Sequence, residues 1–248
     1  TALSMYPTPV NGQYLIAAGV NSSGNYYVYV FSWSSSGGLE KLAIIHESEE
    51  VESIAISPNY VVVGLGSTSG PASVILYELN GTQVWSYTYP YYWTVGIGTL
   101  AISPNQELFA VGTMGPVGEP YGNVSVFSIS SSGHVSLAWS YSYGTSQYLG
   151  VHQVVFSPSG DYLLLVAGNG FASGGYVILF NANTGQVIWD ISDLADPDVA
   201  SFSPDGQYIV VGSANSYVWS GHNHAYLISI SGDVLWSYIT GPNAPNDW

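Results

Sequence analysis

Phe202-Ser203-Pro204-Asp205-Gly206-Gln207-Tyr208-Ile209-Val210-Val211-Gly212 reads as the end of one β-strand, a tight turn and the start of the next. Pro204 presets φ, Asp205 has a side chain that bonds its own backbone, and Gly206 accepts a positive φ at no steric cost. The β-branched run Ile209-Val210-Val211 that follows has the composition of a buried strand. The same phrase recurs. Phe156-Ser157-Pro158-Ser159-Gly160-Asp161-Tyr162 leads into Leu163-Leu164-Leu165-Val166, Ile102-Ser103-Pro104-Asn105 into Leu108-Phe109-Ala110-Val111-Gly112, and Ile56-Ser57-Pro58-Asn59 into Val61-Val62-Val63-Gly64. A degenerate first copy is Pro9-Val10-Asn11-Gly12-Gln13-Tyr14 before Leu15-Ile16-Ala17-Ala18-Gly19.

The prolines stand at 9, 58, 104, 158 and 204, so the copies are 49, 46, 54 and 46 residues apart. Each unit carries a further apolar strand: Tyr27–Phe31, Val74–Leu79, Val124–Ile129, Val177–Phe180 and Ala225–Ile230. Each then closes on a Gly turn and a last strand. Gly81-Thr82-Gln83-Val84-Trp85-Ser86-Tyr87 matches Gly185-Gln186-Val187-Ile188-Trp189 and Gly232-Asp233-Val234-Leu235-Trp236-Ser237-Tyr238; Gly133 to Tyr141 is a longer version, and Gly38-Leu39-Glu40-Lys41-Leu42 lacks the Trp. Four short strands, A to D, in each repeat of about 45–50 residues are the signature of a β-propeller blade. The reading is an all-β chain, one domain over 1–248, with five four-stranded blades near 1–46, 47–92, 93–146, 147–193 and 194–248. Two points of closure stay open: strand A of the first unit, Ala2–Tyr6, is weakly marked, and the tail from Gly241 to Trp248 is rich in Pro and Asn.

The Ser-Pro-Asp-Gly turn resembles that of WD40-like propeller repeats, and the Gly-x-Val-x-Trp ending is similar to the quinoprotein-type repeat. The resemblance covers nearly the whole chain and implies the fold, not an activity. The Gly-His and Trp-Asp pairs of WD40 are missing where that pattern expects them, apart from Trp189-Asp190. Quinoprotein dehydrogenases of that family have eight blades and basic and paired Cys residues around the cofactor; this chain has no Cys and one base. The composition also resembles that of secreted surface proteins of heat- and acid-loving archaea.

Charge excludes several function classes. There are 16 acids and a single base, Lys41, for a net charge of −15. Such a chain has no surface to neutralise phosphates, so nucleic acid, anionic membranes and ATP-type cofactors are not expected partners. No apolar run approaches the ~20 residues of a membrane span. The chain opens without Met and without a basic, apolar leader, from which we expect a removed signal peptide or a fragment. Near pH 2 the carboxylates would be neutral and the net charge only about +7, so we expect tolerance of acid and an extracellular or cell-surface location. Three sequons, at Asn21, Asn80 and Asn123, fit a glycosylated secreted protein.

In a propeller the B–C and D–A connections share one face, and here they are long and varied, so that face is expected to carry specificity. The binding candidates are Tyr89, Tyr91, Tyr92, Trp93, Tyr121, Tyr143, Tyr148, Phe171, Tyr217 and Trp219. An uncharged aromatic face suits sugar rings or another protein surface, whereas single aromatics also serve as caps between blades. Six residues before each Pro lies a strand-A position at the channel mouth, held by Leu3, Glu52, Gly98, His152 and Asp198. Glu52, His152 and Asp198 are the catalytic candidates, because a Glu–His–Asp set does acid–base work or holds a cation, and five-bladed glycosidases converge carboxylates there. The competing explanation is a hydrated polar rim. Two acidic runs, Glu47, Glu49, Glu50, Glu52 and Asp190, Asp193, Asp196, Asp198, offer oxygen ligands for Ca²⁺ but lack an Asp-x-Asp-x-Asp-Gly loop; a solvated rim is the preferred account of them. His222-Asn223-His224 has no evident third metal ligand, and no Gly-x-Ser-x-Gly occurs. The functional expectation is a secreted, non-enzymatic propeller without metal or cofactor that self-associates into a homo-oligomer, surface layer or filament. The alternatives are a module that binds glycans or other surface proteins through the aromatic face, and a glycoside-acting enzyme using Glu52 and Asp198.

Overall fold

The computed structural model describes residues 2–66, 71–89, 99–113, 122–143, 150–168, 175–194, 197–213 and 223–240. All regular structure among them is β. Blade 1 comprises β1 (Ala2–Met5), β2 (Tyr14–Ser22), β3 (Asn25–Ser34) and β4 (Gly38–Glu47). Blade 2 comprises β5 (Glu50–Ile56), β6 (Tyr60–Gly66), β7 (Ser73–Glu78) and β8 (Gln83–Thr88). Blade 3 comprises β9 (Leu100–Ile102), β10 (Leu108–Thr113), β11 (Gly122–Ile129) and β12 (Val135–Tyr143). Blade 4 comprises β13 (Gly150–Phe156), β14 (Tyr162–Gly168), β15 (Gly175–Asn181) and β16 (Val187–Leu194). Blade 5 comprises β17 (Pro197–Phe202), β18 (Tyr208–Ser213), β19 (Asn223–Ser229) and β20 (Val234–Thr240). Each blade is an antiparallel sheet in chain order, so the expected five-bladed propeller is the observed fold. β4 and β16 each run one residue past the unit ends expected from the repeat.

The A–B turn works as its residues dictate, with one addition. Gly206 and Gly160 take φ of +71° and +81°, and in blade 3 Gln106 fills the same left-handed place at +62°. The serine before the proline is the part that turn propensities alone did not reveal. Its hydroxyl oxygen accepts the N–H that opens strand B: Ser103 from Leu108 at 2.9 Å, Ser157 from Tyr162 at 3.1 Å, Ser203 from Tyr208 at 3.0 Å and Ser57 from Tyr60 at 3.1 Å. A short side chain thus satisfies a backbone donor that would otherwise be stranded under the turn.

Successive blades stack through four apolar clusters, one at each junction from blade 1/2 to blade 4/5. The strand-D tryptophans latch two of these junctions. The Trp139 indole N–H donates to the Ala182 carbonyl at 2.7 Å, and that of Trp189 to the Ile230 carbonyl at 2.9 Å. Each ring lies on the turn glycine of the following blade, Gly185 or Gly232, where a Cβ would stand 2.6 or 2.9 Å from the indole. Ala43 holds the corresponding place in blade 1, 3.3 Å from where a Gly81 Cβ would lie. Among the described residues no cluster joins blade 5 to blade 1. The faces that would meet there are bare: Leu3 is 74% and Met5 57% exposed on blade 1, Val210 52% and Trp236 51% on blade 5.

Candidate functional site at the inner-strand bulges

Three innermost strands break register at the same place. Glu52 is the extra residue between the pairs Val51–Leu65 and Ser53–Gly64, His152 between Val151–Ala167 and Gln153–Val166, and Asp198 between Pro197–Ser213 and Val199–Gly212. A bulge gives two residues on one strand to one on its partner and re-aims the extra side chain. The three titratable candidates are therefore the bulge residues of blades 2, 4 and 5. Leu3 is a correction. β1 pairs with β2 without a bulge, Leu3 opposes Ala18, and Ala2 opposes Gly19 as Ser53 does Gly64 and Val199 does Gly212. Leu3 thus corresponds to Ile54 and Ala200, because the first A–B turn is longer than the others and counting six back from Pro9 falls two residues short. Gly98 lies outside the described residues.

Only two of the three are brought together. His152 Nδ1 stands 2.9 Å from Asp198 Oδ1, an ion-pair separation across the blade 4/5 junction, although the ring N–H does not align with it as a hydrogen bond. Beside them the Ala200 N–H donates to Gln153 Oε1 at 2.5 Å. Glu52 sits in blade 2 with its stem over Gly66, where a Cβ would come within 2.4 Å of its Cγ. Partial burial, then the neighbouring Glu50 carboxylate, lifts the Glu52 carboxyl above its usual range. Among the described residues the pair has neither a nucleophile nor a converging second carboxylate, and what a lone His–Asp pair does is orient an imidazole. Among the described residues no set of three His, Asp or Glu side chains converges as a metal site requires.

The other candidates fall in three groups. Tyr91, Tyr92, Trp93, Tyr121, Tyr148, Phe171, Tyr217 and Trp219, like His222 and Asp196, lie outside the described residues. Tyr89 and Tyr143 are buried, so neither offers an open ring to a ligand. Burial pushes both phenols above their ordinary range, and Tyr143 packs against Gly122, where no Cβ would fit. β12 continues through Tyr143, so that residue is strand and not connection, whereas Tyr89 lies in the connection after β8 as expected, with its ring enclosed at the blade 2/3 junction. Glu47 is likewise not part of a solvated acidic run. It is buried at the blade 1/2 junction and accepts the Tyr77 hydroxyl at 2.8 Å. Desolvation raises the Glu47 carboxyl, against the lowering by that hydrogen bond and by His46. His224 instead stacks on Tyr226 at 5.6 Å.

Of the three sequon asparagines, Asn80 is exposed in a C–D turn, held by Glu78 and Thr82. Asn21 is half-buried across the blade 1/2 junction, donating to Glu50 Oε1 at 2.6 Å and accepting from the Val51 N–H at 3.3 Å. Asn123 bonds Ser142 and Ser125 within blade 3.

No protein-family model matches the sequence, and no curated protein matches it. Solved structures do match the fold. Hydrazine synthase of Kuenenia stuttgartiensis aligns with TM-score 0.64 and 16% identity, over 100% of this chain and 67% of that one. Saccharomyces cerevisiae Sqt1 gives 0.62 and 17%, over 95% and 61%. A Lactobacillus plantarum protein gives 0.65 and 14%, over 97% and 69%. The likeness is one of fold. The chain spans about two thirds of the length of those structures, 61 to 69%.

Proposed function

We propose that this chain is a non-enzymatic propeller subunit that acts by associating with further copies of itself. The single observation that carries the reading is the pair of bare apolar faces at the two ends of the blade stack. Large apolar surface left open in this way marks a protein contact. With one base in 248 residues, the chain also has little scope for ion pairing between copies, so apolar and hydrogen-bonded contacts are the means left to it. The bulge residues weigh against an active site, since Glu52 stands apart from the His152–Asp198 pair. The reading is tested by sedimentation velocity and negative-stain microscopy of the protein at pH 3 and pH 7. Assemblies of defined subunit repeat are expected. A monodisperse species of 26.4 kDa at both pH values would refute it.

A further inference from the structure

Resting on that reading, we infer that the contact between copies is head-to-tail: the open face of blade 5 in one copy seats on the open face of blade 1 in the next, repeating the geometry of the internal blade junctions.

Strand register identifies the matching rows on the two faces. Across blade 4, the row Val155–Leu164–Leu179–Trp189 faces blade 5, and Leu164 and Leu179 are fully buried there. The homologous row of blade 5 is Ser201–Val210–Leu227–Trp236. It presents a similar outline, ends on the same Trp, and among the described residues packs against no other blade, with Val210 and Trp236 exposed. The next row, Gln153–Val166–Val177–Ile191, has its counterpart in Val199–Gly212–Ala225–Tyr238. Trp236 and Tyr238 stack at 5.8 Å and 4°, so the two exposed rings lie parallel to one another.

Blade 1 carries the receiving half. The rows of blade 5 that accept blade 4 are Ala200–Val211–Tyr226–Ser237 and Phe202–Ile209–Ile228–Val234. Their counterparts in blade 1 are Leu3–Ala18–Tyr29–Ile44 and Met5–Ile16–Phe31–Lys41, apolar except for the lysine. Tyr29 stands where Tyr226 stands, and Tyr29 and Phe31 stack at 6.0 Å and 6°. The Ile230 position, whose carbonyl receives the Trp189 indole N–H, corresponds to Trp33 at the end of β3. Charge agrees with this pairing. The one base of the chain, Lys41, lies beside Phe31 on the receiving face, and Asp233 heads the last strand of the donor blade at the same end. The two faces differ from one another, so the contact is heterologous, and it propagates from copy to copy into a ring or an open polymer.

Two variants of the full chain test it. Val210→Lys combined with Trp236→Ala blocks the donor face, and Leu3→Lys blocks the receiving face; lysine keeps its charge at both pH 3 and pH 7. All three positions are exposed, and circular dichroism is expected to match wild type; if Leu3→Lys misfolds, Ile44→Lys on the same row replaces it. At a concentration where wild type is assembled, each variant alone is expected to sediment as one chain. An equimolar mixture is expected to sediment as two chains and no larger, since each pair uses up the one good donor and the one good receiver. If wild type assembles and the variants assemble with undiminished size, or if the mixture stays monomeric, the head-to-tail contact is overturned while self-association stands on another surface. A wild type that never assembles overturns both.

Discussion

The tryptophan latch makes a prediction that separates backbone strain from packing. Gly133 and Gly232 occupy the same C–D turn. Each donates its N–H to the carbonyl three residues earlier at 2.9 Å, and each has a positive φ, +80° and +94°. A Cβ on Gly133 would meet nothing within 4 Å, whereas one on Gly232 would lie 2.9 Å from Trp189 Cγ and 3.0 Å from Cδ1. Gly133→Ala therefore carries only the left-handed cost, about 1–2 kcal/mol, offset in part by the stiffer unfolded chain. Gly232→Ala adds overpacking of about 1–3 kcal/mol, and a displaced indole loses its hydrogen bond to Ile230, another ~1 kcal/mol. The expected totals are about 1 kcal/mol for Gly133→Ala and about 3–5 kcal/mol for Gly232→Ala, or losses of roughly 2–4 °C and 6–20 °C in Tm for a chain of this size. Thermal and urea unfolding followed by circular dichroism read both. In a Trp189→Ala background the cost of Gly232→Ala should fall to that of Gly133→Ala, a coupling of about 2–4 kcal/mol. Equal losses for the two glycines, or no coupling to Trp189, would show that the indole does not fill the space above Gly232.

The remaining predictions address other parts of the molecule. Because burial raises Glu47, the folded chain binds more protons than the unfolded one between the ordinary carboxylate pKa and the raised value, so this residue makes the fold more stable as pH falls through the raised value and less stable as pH climbs. Glu47→Gln keeps an acceptor for Tyr77 and should flatten that part of the urea-midpoint profile between pH 4 and 8; an unchanged slope refutes it. Ser103→Ala and Ser157→Ala should each cost about 1–2 kcal/mol by stranding the N–H of Leu108 or Tyr162, read as a shift in urea midpoint, against a null effect for the exposed Ser132→Ala. Glu52→Gln and His152→Asn should leave the assembly state unchanged by sedimentation; loss of a measurable glycoside-cleaving activity on either substitution would instead establish the channel mouth as an active site.

Much of the site was legible because the repeat carries its own ruler. Counting six residues back from Pro58, Pro158 and Pro204 reached the bulge residue in each case, since strand A and its turn have constant length in those blades. The count failed at Leu3, where the first turn is longer and β1 runs without a bulge. The Gly-x-Val-x-Trp pattern was visible too, but not that the indole reaches across to a carbonyl of the next blade.

What the sequence determined by itself is local: Pro-centred turns, with Ser before the Pro in four of the five, and apolar strands between them, repeated five times. Those features depend on backbone preferences and hydrogen bonds that close within a single hairpin, so they are written in contiguous residues. Tertiary structure alone decided what depends on which blade lies beside which. It buried Glu47, Tyr89 and Tyr143, joined His152 to Asp198 while leaving Glu52 apart, and, among the described residues, left the outward faces of blade 5 and blade 1 without a neighbouring sheet although their strands carry the pattern of buried ones. Val210 and Leu164 occupy the same place in the repeat, and only the presence or absence of a neighbouring sheet makes one exposed and the other buried.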